Sequence, residues 1–174
     1  ISAYNPNYMF GESQYGNLRR SITAGSSFES MWDNRISSSF ASAQRPTGYF
    51  NNPFTLWENS AVIDSIETFG RRTSDDSIAN ARIFFATNDG IWMCKNAYGK
   101  PHDPTGPKEG SIRWFRVSNL RRVHYMKPSK DGESLFVTTN SGRIYRVDNL
   151  LTTQFDTISL PTNNQIAANL TTTE

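Results

Sequence analysis

The sequence predicts an all-β protein built from repeated hairpins. No segment keeps apolar residues at the i, i+3, i+4, i+7 spacing of an amphipathic helix for long enough to form one. Short apolar runs instead flank turns that contain Asn and Gly, which is the sequence pattern of a β-hairpin. Aromatic residues make up 13% of the 174 residues, and aromatic side chains fit the half-buried surface of a sheet. These observations favour strands over helices.

Two of the hairpins are close copies of each other. Residues 83–94 and residues 135–147 each contain an apolar run, an Asn-x-Gly turn and a second apolar run. The turn glycines, Gly90 and Gly142, lie 52 positions apart (from 90 to 142), and glycine lets such turns reach positive φ without a Cβ clash. A repeat of about 40–50 residues with several strands is typical of β-propeller blades. The sequence therefore predicts propeller-type blades, with an antiparallel sandwich of hairpins as the alternative.

A third, looser hairpin around Gly16 brings the number of predicted blades to about three. They form a partial β-propeller over residues 1–160, with blades near 5–36, 61–118 and 120–160, an inserted loop at 37–60, and a linker or the start of another unit at 161–174. The innermost strands of the last two blades are predicted at 62–66 and 122–126, and their last strands at 114–117 and 156–160. Propellers close with about 4–8 blades, so we expect further blades to complete the ring.

The segment after the first hairpin, residues 21–28, has the sequence Ser-Ile-Thr-Ala-Gly-Ser-Ser-Phe. It resembles the Asp-box motif, S-x-D-x-G-x-T-W, with Thr23 in the place of the Asp and with matches at Ser21, Gly25, Ser27 and Phe28. In that motif the Gly supplies a turn with positive φ and the Asp side chain caps backbone N–H groups. The resemblance implies that Thr23 caps the turn through its hydroxyl and that Phe28 is buried between neighbouring sheets.

The resemblance extends to the Asn-Pro-Asn entry at residues 5–7. The chain is similar to Asp-box (BNR-repeat) propellers, which include sortilin-like receptors, sialidases, xyloglucanase-type glycosidases and bacterial cell-surface proteins. The similarity covers residues 5–36 well and residues 83–150 in outline, and no Asp-box follows either later hairpin. It implies a propeller fold and an extracellular, cell-surface or periplasmic location, and it is weak for any single function.

An enzymatic hypothesis depends on carboxylates, because glycoside hydrolysis needs two of them at a fixed separation. Asp64 is the one acidic residue expected in an innermost strand, where its side chain would reach a central channel. The favoured alternative is that Asp64 is a solvated carboxylate or caps backbone N–H groups.

Aromatic residues in the predicted inserted loop are candidate ligand contacts. Tyr49, Phe54 and Trp57 would stack on sugar rings or anchor a protein partner. The favoured alternative is that these side chains fill the gap between two blades.

Composition excludes several other classes of function. The 18 Lys and Arg residues against 16 Asp and Glu residues give a net charge of +2, which does not predict nucleic-acid binding. No apolar stretch is long enough for a transmembrane helix. Cys94 is the single cysteine, and the two histidines, His102 and His124, lack metal-ligand spacing, so no disulfide, metal or cofactor is expected.

Taken together, the sequence favours a non-catalytic propeller scaffold or interaction module of an extracytoplasmic protein, bacterial and surface- or secretion-related. Its expected partner is a protein or the remaining blades, with carbohydrate as a second class of ligand. A glycoside hydrolase of the Asp-box type and a sortilin-like receptor domain that binds peptides are the alternatives.

Overall fold

A computed structural model describes residues 1–13, 16–31, 51–63, 79–88, 90–94, 96–99, 112, 114–150 and 171–174. Within these ranges the chain forms eleven strands and no helix, which confirms the all-β prediction. The strands make three antiparallel sheets, and none of them closes on itself. None of the described segments is a helix that could span a membrane.

Each sheet is a meander whose hydrogen-bonded neighbours follow one another along the chain. The first sheet has three strands: β1 (Met9–Ser13), β2 (Asn17–Ser21) and β3 (Glu29–Ser30). The second has four: β4 (Phe54–Ile63), β5 (Ala79–Ala86), β6 (Ile91–Cys94) and β7 (Trp114–Ser118). The third also has four: β8 (Val123–Pro128), β9 (Leu135–Thr139), β10 (Ile144–Asp148) and β11 (Thr171–Thr173).

The second sheet is buried on both faces. On β5, successive side chains point to opposite faces, so Ile83 and Phe85 pack in one cluster with the first sheet. Phe84 and Ala86 pack in a second cluster with the third sheet. The three sheets are therefore stacked as layers in chain order, a layout consistent with consecutive blades.

The two matching hairpins lie in different sheets, at the same place in each meander. Gly90 lies in the turn between β5 and β6, and Gly142 lies in the turn between β9 and β10. Their backbones differ, with φ of 155° at Gly90 and 79° at Gly142. A Cβ at Gly90 would lie 2.2 Å from the carbonyl oxygen of Ser118, whereas a Cβ at Gly142 would meet nothing within 4 Å. The turns are thus equivalent in topology but not in conformation.

The prediction of an inserted loop at 37–60 is wrong at its C-terminal end, because strand β4 begins at Phe54. This strand is the first of the second sheet, and the sequence predicted that first strand later, at 62–66. The Ser, Asn and Pro content of residues 37–59 favoured a loop, but the pairing of β4 with β5 shifts register between Asn59 and Ile63. A β-bulge of this kind takes up an irregular segment without ending the strand.

The prediction of a linker or the start of another unit at 161–174 is wrong for its last residues, because Thr171–Thr173 forms β11 and pairs with β10 of the third sheet. This strand lies at the edge of the third sheet and has no apolar alternation that would reveal it, although threonine is a good strand former. The strand predicted at 156–160 lies outside the described residues.

Candidate functional site

The turn at residues 21–28 joins β2 to β3 and has the hydrogen bonds expected of a capped turn. Ser21 Oγ accepts from the backbone N–H groups of Thr23 (3.1 Å) and Gly25 (2.8 Å). Thr23 Oγ1 accepts from the backbone N–H of Ser27 (3.0 Å), so its hydroxyl does cap the turn. Gly25 has φ of 88°, which confirms the predicted positive φ.

The prediction for Phe28 is wrong, because this side chain is 46% exposed. Residues alternate between the two faces of a strand, and Glu29 pairs with the buried Arg20 of the neighbouring strand β2. Arg20 itself reaches the carbonyl of Ala97 after β6, so Glu29 lies on the face that meets the second sheet. Met31, two residues further on, points the same way and is fully buried. Trp114 of β7 donates its indole N–H to the Met31 carbonyl (2.6 Å). Met31, rather than Phe28, therefore fills the gap between the first two sheets.

We expect Gly25→Val to lower the free energy of unfolding by about 1–2 kcal/mol, since a side chain at positive φ is strained. A Cβ at this position would also lie 3.3 Å from Met9 Sδ. Gly11→Val is the matched control, because a Cβ at Gly11 meets nothing within 4 Å and the residue lies in strand β1. Urea denaturation of both variants tests this, and an unchanged midpoint for Gly25→Val would contradict the assigned turn.

Trp57 is a contact between sheets rather than an available ligand contact. It is 5% exposed and donates its indole N–H to the carbonyl of Lys130 (3.2 Å) in the β8–β9 turn. Gly132 in the same turn has φ of 77°, and a Cβ there would lie 2.5 Å from the Trp57 ring. The gap-filling interpretation therefore applies to Trp57. Phe54 is partly buried against the cluster between the first and second sheets, and Tyr49 lies outside the described residues.

Two buried arginines cross between neighbouring sheets. Arg20 of β2 donates from Nη1 to the carbonyl of Ala97 (2.6 Å), which follows β6. Arg82 of β5 donates from Nη1 to the carbonyl of Leu150 (3.2 Å), which follows β10. In both cases the acceptor comes after the third strand of the next sheet, and the arginine is at most 2% exposed. Buried charges need such partners, so these side chains join sheets.

A polar cluster attaches the N-terminal residues to β4. Glu58 accepts from the Tyr98 hydroxyl and from the backbone N–H of Ala3 (2.8 Å), and Ser2 Oγ lies 2.5 Å from the Tyr98 hydroxyl. Burial, followed by the hydrogen bond to Glu58, raises the pKa of Tyr98 far above its usual value. Tyr98 is therefore a neutral donor. Ser2 Oγ also accepts two backbone N–H groups, at 3.1 and 3.0 Å, so the cluster fixes the chain in place rather than presenting a nucleophile.

The predicted site residues do not converge on one place. Ser21, Gly25 and Ser27 share one turn, whereas Gly90 and Gly142 lie in separate sheets. Asp64 lies outside the described residues. Within the ranges that the structure describes, no group of three His, Cys, Asp or Glu side chains is placed to hold a metal ion.

Sequence reasoning missed the two arginines and the cluster around Tyr98. Their partners are backbone carbonyls or residues far along the chain, with 77 positions between Arg20 and Ala97 and 68 between Arg82 and Leu150. The one usable signal is the position of Arg82 beside the apolar run at 83–86, because a charge in a strand buried on both faces requires a partner.

Comparison with known proteins found no family model, no curated protein and no solved structure that matches the chain.

Proposed function

We propose that this chain is a non-catalytic scaffold of consecutive propeller-type blades that acts as an interaction module. The observation that carries the proposal is the second sheet, which is buried on one face by the first sheet and on the other by the third. In a sheet that is packed on both faces, the side chains contact the neighbouring sheets and are not exposed to a ligand.

The use of polar side chains supports the same proposal. Arg20 and Arg82 reach carbonyl groups of a neighbouring sheet, and Glu58 accepts hydrogen bonds from the N-terminal segment and Tyr98. An active site needs groups left available for substrate at a defined spacing. These buried groups form hydrogen bonds within the protein instead.

The propeller arrangement is supported by the repetition of these contacts. Meander sheets follow one another in the stack, and the arginine-to-carbonyl contact recurs at two successive sheet pairs. A ring of such units needs about 4–8 blades, so the proposal includes further blades beyond the three sheets.

An extracytoplasmic, surface-associated location is part of the proposal, with a protein or the remaining blades as partner. It rests on the resemblance of residues 21–28 to an Asp-box, with which the Thr23 cap and the positive φ of Gly25 agree and the exposed Phe28 does not.

Enzyme assays test the non-catalytic part of the proposal. We expect wild type and Asp64→Ala to give equal, background-level signals on aryl-glycosides and polysaccharides, since hydrolysis requires a second carboxylate across one cleft. Asp131→Ala is the matched control, because Asp131 lies in the exposed β8–β9 turn. Turnover that is lost only in Asp64→Ala would replace the scaffold with a glycoside hydrolase.

A further inference from the structure

The third sheet has an apolar face that points away from the stack. Tyr125, Phe136 and Ile144 lie on it, and they are 58%, 45% and 63% exposed. Thr138 is opposite both Tyr125 and Ile144 in the strand register, so the exposed apolar side chains are neighbours across β8, β9 and β10. We call this surface the outer face. Exposed apolar patches of this kind mark interaction sites when polar residues surround them.

The same residue types are buried at matching places in the second sheet. Phe84 of β5 and Ile91 of β6 point toward the third sheet and are 0% exposed. Phe136 of β9 and Ile144 of β10 lie on the second and third strands of the third sheet, as Phe84 and Ile91 do in the second sheet, and they point in the same direction along the stack. The outer face thus continues the established sheet-to-sheet interface, and its chemistry is that of a surface made to be covered by polypeptide.

The outer face also carries cationic side chains. Arg146 is opposite Phe136 in the strand register and pairs with Asp148, and Arg143 pairs with Glu174. Lys127 is opposite Phe136 in the strand register and is exposed. Arg121 and Arg122, just before β8, are exposed as well. Such charge steers and selects partners of opposite sign.

Strand addition at the β8 edge of this sheet is disfavoured, which favours the face over this edge as the docking surface. Strand β8 is at the edge of the described sheet, and its pairing with β9 shifts register between Val123 and Tyr125. It also carries Lys127 and ends at Pro128. Bulges, lysines and prolines are the features that keep other strands from pairing with an edge.

We infer that the outer face docks an acidic polypeptide whose contact surface combines apolar side chains with carboxylates. The inference rests on the proposed function as an interaction module, and the acidic polypeptide takes the place on the third sheet that a further blade would otherwise cover. A second copy of this chain is a poor occupant. The opposite end of the stack presents the exposed Arg19, while the described carboxylates of the first sheet, Glu12 and Glu29, bond to Asn52 and Arg20.

The probe is an immobilised random copolymer of glutamate and tyrosine, with polyglutamate and a lysine–tyrosine copolymer beside it. We expect the glutamate–tyrosine copolymer to bind wild type most tightly and the lysine–tyrosine copolymer not to bind. Phe136→Ser and Lys127→Glu should each weaken binding about tenfold, as expected for central interface residues. Phe28→Ser and Arg19→Glu are matched controls on the first sheet, because both side chains are exposed there, and they should leave binding unchanged.

Several results would overturn the inference. Equal binding of polyglutamate and the glutamate–tyrosine copolymer would show a charge effect only, and binding that survives both outer-face substitutions would place the site elsewhere. Single-stranded RNA that binds more tightly than the copolymer, with sensitivity to Phe136→Ser, would make the face a nucleic-acid surface. A dimer in light scattering that Phe136→Ser dissociates would make the occupant a second copy. Absence of copolymer binding by wild type that shows a normal melting transition counts against this inference alone, whereas the proposed function fails separately, through turnover that depends on Asp64.

Discussion

Replacing Phe84 with alanine should lower the free energy of unfolding by about 3–5 kcal/mol, the usual cost of removing a buried aromatic side chain. Phe84 is 0% exposed between the second and third sheets. The same substitution at Phe136 should cost about 1 kcal/mol or less, because that ring is 45% exposed and loses less burial. The two residues have matching positions in β5 and β9, so the difference measures what a neighbouring sheet contributes.

Urea denaturation of wild type, Phe84→Ala and Phe136→Ala measures this difference directly. Phe84→Leu is the control, since it keeps most of the apolar volume and should recover more than half of the lost stability. Equal losses at the two positions would contradict the stack, because they would mean that the second sheet does not depend on the third for its burial.

Regular hairpins could be predicted from the sequence because their strands and turns are encoded locally. The apolar runs at 83–86 and 135–139 are strands β5 and β9, and the strands predicted at 114–117 and 122–126 are β7 and β8, with small shifts at their ends. Each of these segments is rich in β-branched or aromatic residues and is bounded by turn residues. Such signals depend on a few neighbouring residues and do not require knowledge of the stack.

Strands that depend on tertiary pairing could not be predicted in this way. Strand β4 passes through polar residues around Asn59 and remains a strand because β5 pairs with it on both sides of a bulge. Strand β11 consists of three threonines, and it is a strand only because it pairs with β10. Local composition favours loops at both places, and long-range pairing overrides it.

The features of the candidate site also divide into those encoded by neighbouring residues and those that depend on tertiary packing. The capped turn at 21–28 was predictable because Ser21, Thr23 and Ser27 bond to one another's backbone within a few residues. The direction of Phe28 was not, because it depends on which face of β3 meets the second sheet. A motif therefore specifies its own turn, but the sheet that packs on it decides which side chain is buried.

Gly90→Ala should destabilise the protein by about 3 kcal/mol, combining a steric clash with an unfavourable backbone conformation. An added Cβ would lie 2.2 Å from the carbonyl oxygen of Ser118 and 2.9 Å from Arg116 Nε. Ser118 is opposite Ile91 in the pairing of β6 with β7, next to a register shift. The obstacle is backbone at a sheet irregularity, so it cannot be relieved by a change of rotamer, and the strands themselves must separate.

Gly142→Ala is the matched comparison, because this glycine occupies the same place in the third sheet and its Cβ would meet nothing within 4 Å. Its φ of 79° leaves a cost of roughly 1 kcal/mol from the left-handed backbone alone. Thermal and urea denaturation of the two variants compare the close approach at Gly90 with the backbone strain at Gly142, where no contact adds to it. A loss at Gly142 as large as that at Gly90 would mean that strain dominates both turns, and the contact with Ser118 would then have no special role in fixing β6 against β7.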